Sequence, residues 1–200
     1  MNVCYGSQNL DFESLLQVYP DREFENLTRS TIPLLSYWAD PVIRLAHLCK
    51  ALGVNDNGQG SFCFEYPVKS LGRNKASFTD AMYISTQVAI AIEAKSTEPQ
   101  YDTVEKWLKR GNDVSHRREV ARHWLEIIEK RTGSRIDDCV SDPLIYQMVH
   151  RLASLCSIDS SCHVLVYQIF EFEGHTADYV HALTELSRAL DQGHRIKMYV

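Results

Sequence analysis

The order of strand-like and helical periods along the chain predicts an α/β protein with a mixed central sheet flanked by helices and extra helices at both ends. Two observations carry this. Residues 61–95 contain three successive β-like runs, and a fourth run, Cys162–Phe172, is almost continuously apolar, as expected of a central strand covered on both faces. Around them lie segments of helical spacing with capping residues at their ends. The 200 residues and 44% apolar content suffice for one well-buried core, so residues 1–200 are read as a single domain.

The first sixty residues read as helical, with Phe12, Leu15 and Leu16, then Phe24 and Leu27, at helical spacing, and with Pro20 and Pro33 as punctuation. A better-defined helix follows Asp40-Pro41, an N-cap and first-turn proline; Leu45, Leu48 and Leu52 line one face and Gly53 ends it. The loop Asn55–Gly60 is rich in turn formers. Residues 61–69 read as a strand with Phe62, Phe64 and Tyr66 on one face and Cys63 and Glu65 on the other, leading through Gly72-Arg73-Asn74 to a hairpin over 77–95. After Pro99 the helical period returns near 103–110 and again from Ser115 to a cap at Gly133. Asp142-Pro143 is read as the opening of a further helix with a stripe of Leu144, Ile145, Met148, Val149, Leu152 and Leu155, and a last helix is expected over about Ala177–Gln192.

The hairpin concentrates chemistry. Val88, Ile90, Ile92 and Ala94 alternate with Ala89, Ala91, Glu93 and Lys95, so one face is bulky and the other is small and then charged. A turn near Ser85–Val88 places Asp80 across from Glu93 on the same face. Two carboxylates and an ammonium then share a small space, a setting suited to Mg²⁺, which takes carboxylate oxygens and keeps waters that can attack a phosphate. The bland alternative is a strand-end ion pair. Glu65, on the neighbouring strand, is the expected third carboxylate, with Glu25, read as lying on an early helix, as its competitor.

Asp80 followed by Glu93-Ala94-Lys95 resembles the Asp…(Asp/Glu)-x-Lys core of the PD-(D/E)XK nuclease superfamily. The context Ser77-x-Thr79-Asp80-Ala81 and Ile92-Glu93-Ala94-Lys95-x-Thr97-Glu98-Pro99 is similar to a group of bacterial restriction-endonuclease-like proteins within it. Phe64-Glu65-Tyr66, Arg29-Ser30-x-x-Pro33-Leu34 and Tyr146-Gln147-x-x-x-Arg151 extend the likeness. Thr79 stands where the superfamily's name-giving proline precedes the aspartate. The resemblance implies a restriction-endonuclease-like αβββαβ core and a Mg²⁺-dependent endonuclease acting on DNA, with Mn²⁺ able to substitute. Asp80, Glu93 and the Ala94 carbonyl would hold the metal, and Lys95 would orient the attacking water. A non-catalytic nucleic-acid-binding or assembly subunit of the same fold is the alternative. Glu98 is expected to support the site or cap a helix, and Gln147 and Arg151, four apart on one helical face, to support it or face solvent.

A net charge of −5 argues mildly against a nucleic-acid partner, but residues 101–135 carry a local excess of three positive charges. Arg117, Arg118 and Arg122 within this stretch are the expected DNA contacts, against the default of a solvated face. Cutting both strands of a duplex calls for two sites, hence an expected homodimer. Neither a secretory signal nor a membrane-length apolar run is legible, so a cytoplasmic protein is expected. Six cysteines without a Cys-x-x-Cys pair, mostly within apolar runs, are read as reduced, packed thiols.

Overall fold

A computed structural model describes residues 1–69, 71, 76–110, 112–170, 176–190 and 196–200. Gly72-Arg73-Asn74, the end of the run to Phe172, and the last helix's end at Gln192 lie outside the described residues. Among those described, seven strands form one mixed sheet: β1 (Asn2–Tyr5), β2 (Gln8–Asn9), β3 (Ser61–Val68), β4 (Ser77–Ile84), β5 (Val88–Lys95), β6 (Cys162–Ile169) and β7 (Ile196–Tyr199). Their spatial order is β2-β1-β3-β4-β5-β6-β7. The β3-β4-β5 meander is antiparallel, whereas β5-β6, β6-β7 and β1-β3 are parallel pairs.

Helices cover both faces. On one side α1 (Phe12–Val18), α2 (Thr31–Tyr37) and α3 (Pro41–Leu52) bring Leu15, Leu34, Leu35, Leu45 and Leu52 against Phe62, Phe64, Tyr83, Ile90, Ile92 and Val164. On the other, α5 (Val114–Thr132), α7 (Tyr146–Cys156) and α8 (Thr176–Arg188) pack Trp124, Ile128, Met148, Leu152, Tyr179 and Leu183 over Ala89, Ala91, Leu165 and Tyr167. Small alanines on this face of β5 let α7 approach the sheet closely. All eight residues of β5 are buried, and each isoleucine removed from water there contributes about 1.5–3 kcal/mol. The short helices α4 (Val104–Lys109) and α6 (Asp138–Ser141) complete the second layer.

The caps expected at Asp40, Gly53 and Gly133 are present. Asp40 accepts from Ile43 N–H at 3.1 Å with Pro41 in the first turn, and Gly53 (φ 59°) and Gly133 (φ 77°) close α3 and α5 in the left-handed region that favours glycine.

Five expectations are corrected. The first sixty residues are not all helical: Asn2–Tyr5 is a strand, recruited by parallel pairing with β3, a long-range partner that local periodicity does not encode. Phe24 and Leu27 do not extend a helix, because a 3-10 turn at Asp21–Glu23 gives way to irregular backbone that leaves Leu27 exposed. The helix expected at Asp142-Pro143 begins at Tyr146; Leu144 C=O instead accepts from Val104 N–H at 2.8 Å and Tyr146 N–H donates to Asp102 C=O at 3.0 Å, tying this segment to the start of α4. Tyr66 leaves the face of Phe62 and Phe64 and packs with the opposite layer. The switch falls at Glu65, whose φ of 49° is the single positive value among described non-glycine residues. Finally, Cys4 and Cys63 are not reduced thiols but a disulfide between directly paired positions of β1 and β3; Cys49, Cys139, Cys156 and Cys162 are free. No described helix is long and apolar enough to cross a membrane.

Candidate functional site

The β4–β5 ladder ends at Ala81 opposite Ile92, and one further step of that register sets Asp80 across from Glu93. At that point a side chain replaces the backbone partner: Ala94 N–H donates to Asp80 Oδ2 at 2.8 Å. On the other edge of β5, Lys95 C=O accepts from Phe170 N–H at 2.8 Å. Strand alternation therefore turns both the N–H and the C=O of Ala94 toward β4 and Asp80. The strands splay here, and the opened end holds the charged groups.

Glu93 and Lys95 are 2% and 5% exposed. Lys95 Nζ lies 2.8 Å from Glu93 Oε1. From α7, Gln147 Nε2 donates to Glu93 Oε1 at 2.6 Å, and one turn later Arg151 Nε donates to Glu93 Oε2. Arg151 Nη1 also donates to Ser77 Oγ at 2.7 Å and faces His150 Nδ1 at 3.3 Å. Guanidinium has no acceptor, so Nδ1 accepts and the His150 proton sits on Nε2. Burial, with Arg151 and Lys95 nearby, holds this imidazole neutral, its pKa well below the usual value.

The carboxylates divide. Glu93 stays low despite burial, because Arg151 and Lys95 outweigh it. Burial raises Asp80 to about 7, with Glu93 adding to the rise and Arg151, Lys95 and the Ala94 N–H opposing it. Glu65 rises to about 8, through burial first and then Asp80. Burial first, and then the crowding of three carboxylates around two cations, leaves Asp80 and Glu65 titrating near neutral pH. Lys95 is raised despite burial, by Glu93 and Asp80, and so stays charged.

These groups line a cleft of about 860 Å³ together with Tyr5, Tyr19, Glu23, Arg29, Glu98 and Arg110. The Tyr19 hydroxyl is buried and has no hydrogen-bond partner among the described residues. Its pKa is raised by burial and then by Glu65 and Asp80, which line the same cleft. A buried hydroxyl without a partner on the wall of a cleft is available to a water or ligand there. The donor set is all oxygen, as hard divalent cations require. Glu93 has three of roughly four acceptor positions occupied, leaving one on Oε2. No group of three or more His, Cys, Asp or Glu side chains among the described residues is arranged to hold a metal. An ion bound here would have few carboxylates as ligands, and waters would fill the rest of its shell, which Mg²⁺ tolerates.

Of the residues expected from the sequence, Asp80, Glu93, Ala94, Lys95 and Glu65 come together, and Gln147 and Arg151 join them from buried positions rather than a solvated face. Glu98 serves the backbone: its carboxylate accepts from Ser30 N–H and Oγ, both at 2.8 Å, and from Ser96 N–H at 2.7 Å. Glu25 is exposed, sits outside any helix and does not line the cleft; Glu23 does. None of the three α5 arginines lines the carboxylate cleft, although Arg117 lines an adjoining pocket with Phe78 and Arg151. Arg117 covers the Trp107 ring at 4.8 Å and donates to Trp107 C=O at 2.6 Å; Arg122 binds Glu129 and Ile136 C=O; Arg118 is exposed. His150 and Tyr19 carry no spacing that marks them as site residues, and Ser77, part of the motif around Asp80, has no role legible before its bond to Arg151.

A pH dependence follows. Glu65 has a folded pKa above its unfolded one, so its favourable contribution is complete below about 4.5 and is lost as pH rises toward about 8. Glu65→Gln is expected to stabilise the metal-free protein at pH 8.5 by about 2 kcal/mol, less than the full shift because the side chain is half-buried and partly screened. The matching rise in Tm is about 4–8 °C, and it vanishes at pH 4.5. Thermal unfolding at the two pH values checks this; an equal gain at both would remove the titration as its cause.

A family model described as a domain of unknown function, DUF6946, matches residues 10–198, and the chain belongs to that family. No curated protein and no solved structure matches it.

Proposed function

For this member of DUF6946 we propose a Mg²⁺-dependent nuclease of restriction-endonuclease-like fold that hydrolyses phosphodiester bonds, with DNA as its substrate. The observation that carries the reading is the convergence of Asp80, Glu93, Ala94 and Lys95 where the β4–β5 ladder ends, with Asp80, Glu93 and Lys95 lining one cleft. The succession α3-β3-β4-β5, helices, β6 supports it as an order matching the αβββαβ core.

Asp80, the open position of Glu93 and the Ala94 carbonyl would hold the ion. When bound, it would supply Lewis acidity toward a phosphate oxygen and acidify a coordinated water. The chain's own groups do the rest. Lys95, kept charged by Glu93 and Asp80, offers a preorganised cation to the negative charge that develops on the phosphorus-bound oxygens. Glu65, whose carboxyl is raised in the metal-free protein, would serve as proton acceptor for the attacking water once ionised beside the bound cation. Gln147 and Arg151 lock the Glu93 carboxylate in one orientation, and the Tyr19 hydroxyl can donate to a water or phosphate oxygen. One copy offers one such cluster, so cleavage of both strands of a duplex would use two copies.

A specific observation favours a second reading. Glu93 is already satisfied by Lys95, Gln147 and Arg151, as a structural ion network in a non-catalytic subunit would be. Mn²⁺ titration by calorimetry beside a cleavage assay on duplex and single-stranded DNA separates the two. The nuclease reading expects Mn²⁺ binding, cleavage in Mg²⁺ that stops in EDTA, and loss of both binding and cleavage in Asp80→Asn. A wild-type protein that binds no Mn²⁺ and cuts nothing supports the structural network.

A further inference from the structure

Five cations line the carboxylate cleft: Arg22, Arg29, Lys95, Arg110 and Arg151. Four are committed to carboxylates. Lys95 and Arg151 hold Glu93, Arg110 Nε lies 2.6 Å from Asp102 Oδ2, and Arg22 Nε lies 3.4 Å from Glu23 Oε1. Arg29 is different: among the described residues its guanidinium has neither a hydrogen bond nor an ion pair. Its backbone is nonetheless held to the end of β5, the strand that supplies Glu93 and Lys95. Thr97 Oγ1 donates to Thr28 C=O at 2.8 Å, Thr97 N–H reaches the same carbonyl at 3.4 Å, and Ser30 is bound through N–H and Oγ to Glu98. The backbone on both sides of Arg29 is thus fastened to residues four and five positions beyond Glu93.

Glu98 makes this fastening durable. Burial would raise its carboxyl, but the N–H groups of Ser30 and Ser96 outweigh that and keep it ionised. An exposed arginine ordinarily belongs to a solvated surface. This one combines an uncommitted charge, a place on the wall of the cleft and an anchored backbone, so part of the ordering cost of binding is already met in the free protein.

We propose that Arg29 is a phosphate-binding residue of the cleft, taking a non-scissile phosphate of the polynucleotide strand whose scissile phosphate lies at Asp80 and Glu93. The inference rests on the nuclease reading and moves the expected nucleic-acid contact from the α5 arginines to the rim of the cleft. Guanidinium suits phosphate because its planar fork can donate two parallel hydrogen bonds to two oxygens. Arg29 is a positioning residue: it sets where the strand lies and takes no part in proton transfer.

The test compares Arg29→Ala, Arg29→Lys and Arg118→Ala with wild type. Binding of a labelled short DNA, single-stranded and duplex, is titrated across a salt series with Ca²⁺ in place of Mg²⁺, and single-turnover cleavage is followed in Mg²⁺. Arg29→Ala is expected to weaken binding about tenfold and flatten the slope of log affinity against log salt by roughly 0.7–0.9. Its cleavage rate at saturating protein should stay within about twofold of wild type, and Arg29→Lys should recover the slope but only part of the affinity. Arg118→Ala, which removes an exposed cation outside the cleft, should change neither. Wild-type slope and affinity in Arg29→Ala would overturn the inference while leaving the nuclease reading intact. A wild-type protein that neither binds nor cuts DNA would overturn that reading, and the assignment of Arg29 with it.

Discussion

Lys95→Ala is expected to slow DNA cleavage by about 10²–10⁴-fold, the range for loss of one positioned catalytic group, while Mn²⁺ affinity stays near wild type. The two effects separate because Lys95 is no ligand: its ammonium pairs with Glu93 Oε1 and compensates charge beside Asp80. Glu93→Ala should differ, losing ion affinity along with activity. Single-turnover cleavage beside metal titration distinguishes the variants. A Lys95→Ala protein that cuts at the wild-type rate would take Lys95 out of the mechanism and leave Glu93-Ala94-Lys95 as a buried ion pair.

The largest effect on stability is expected at Arg151. Its side chain is buried and bonded to Glu93, Ser77 and His150. Arg151→Ala strips Glu93 of its strongest partner while leaving the carboxylate 2% exposed. Breaking a buried pair from one side costs about 3–5 kcal/mol, mostly through the uncompensated charge left behind. For a chain of this size that lowers Tm by roughly 6–20 °C. Glu93→Gln combined with Arg151→Met should lose less than the two single changes added together, because the charge and its partner leave at once. Thermal unfolding of the four proteins closes the cycle; strict additivity would mean that Glu93 and Arg151 do not depend on each other.

Much of the site was legible because the hairpin is local. The alternation of Val88–Lys95 and the turn at Ser85–Val88 determine which residues of two adjacent strands share a face, so Asp80 opposite Glu93 follows from counting along the chain. The caps at Asp40 and Gly133 are local for the same reason. Gln147 and Arg151 could be placed on one helical face by their spacing of four, yet not assigned to the interior, since polar residues beside an apolar stripe ordinarily meet solvent. They are buried because Glu93, 54 and 58 residues away, supplies the charge that makes their burial tolerable.

Other features depended on contacts between distant segments. β1 is four residues long and becomes a strand by lying parallel to β3, where Cys4 meets Cys63 across 59 residues of chain and forms the disulfide that an absent Cys-x-x-Cys could not suggest. The reversal of faces at Glu65 is a backbone event, a positive φ at a glutamate, that no side-chain pattern announces. The chain by itself determined the strand order of the meander, the caps at Asp40, Gly53 and Gly133 and the pairing of Asp80 with Glu93, all of which depend on periods and turns within a few tens of residues. The tertiary structure alone decided which polar groups are buried, which cations remain uncommitted and which carboxylates hold protons near neutral pH, because burial and pairing are set by distant segments that meet only in the folded molecule.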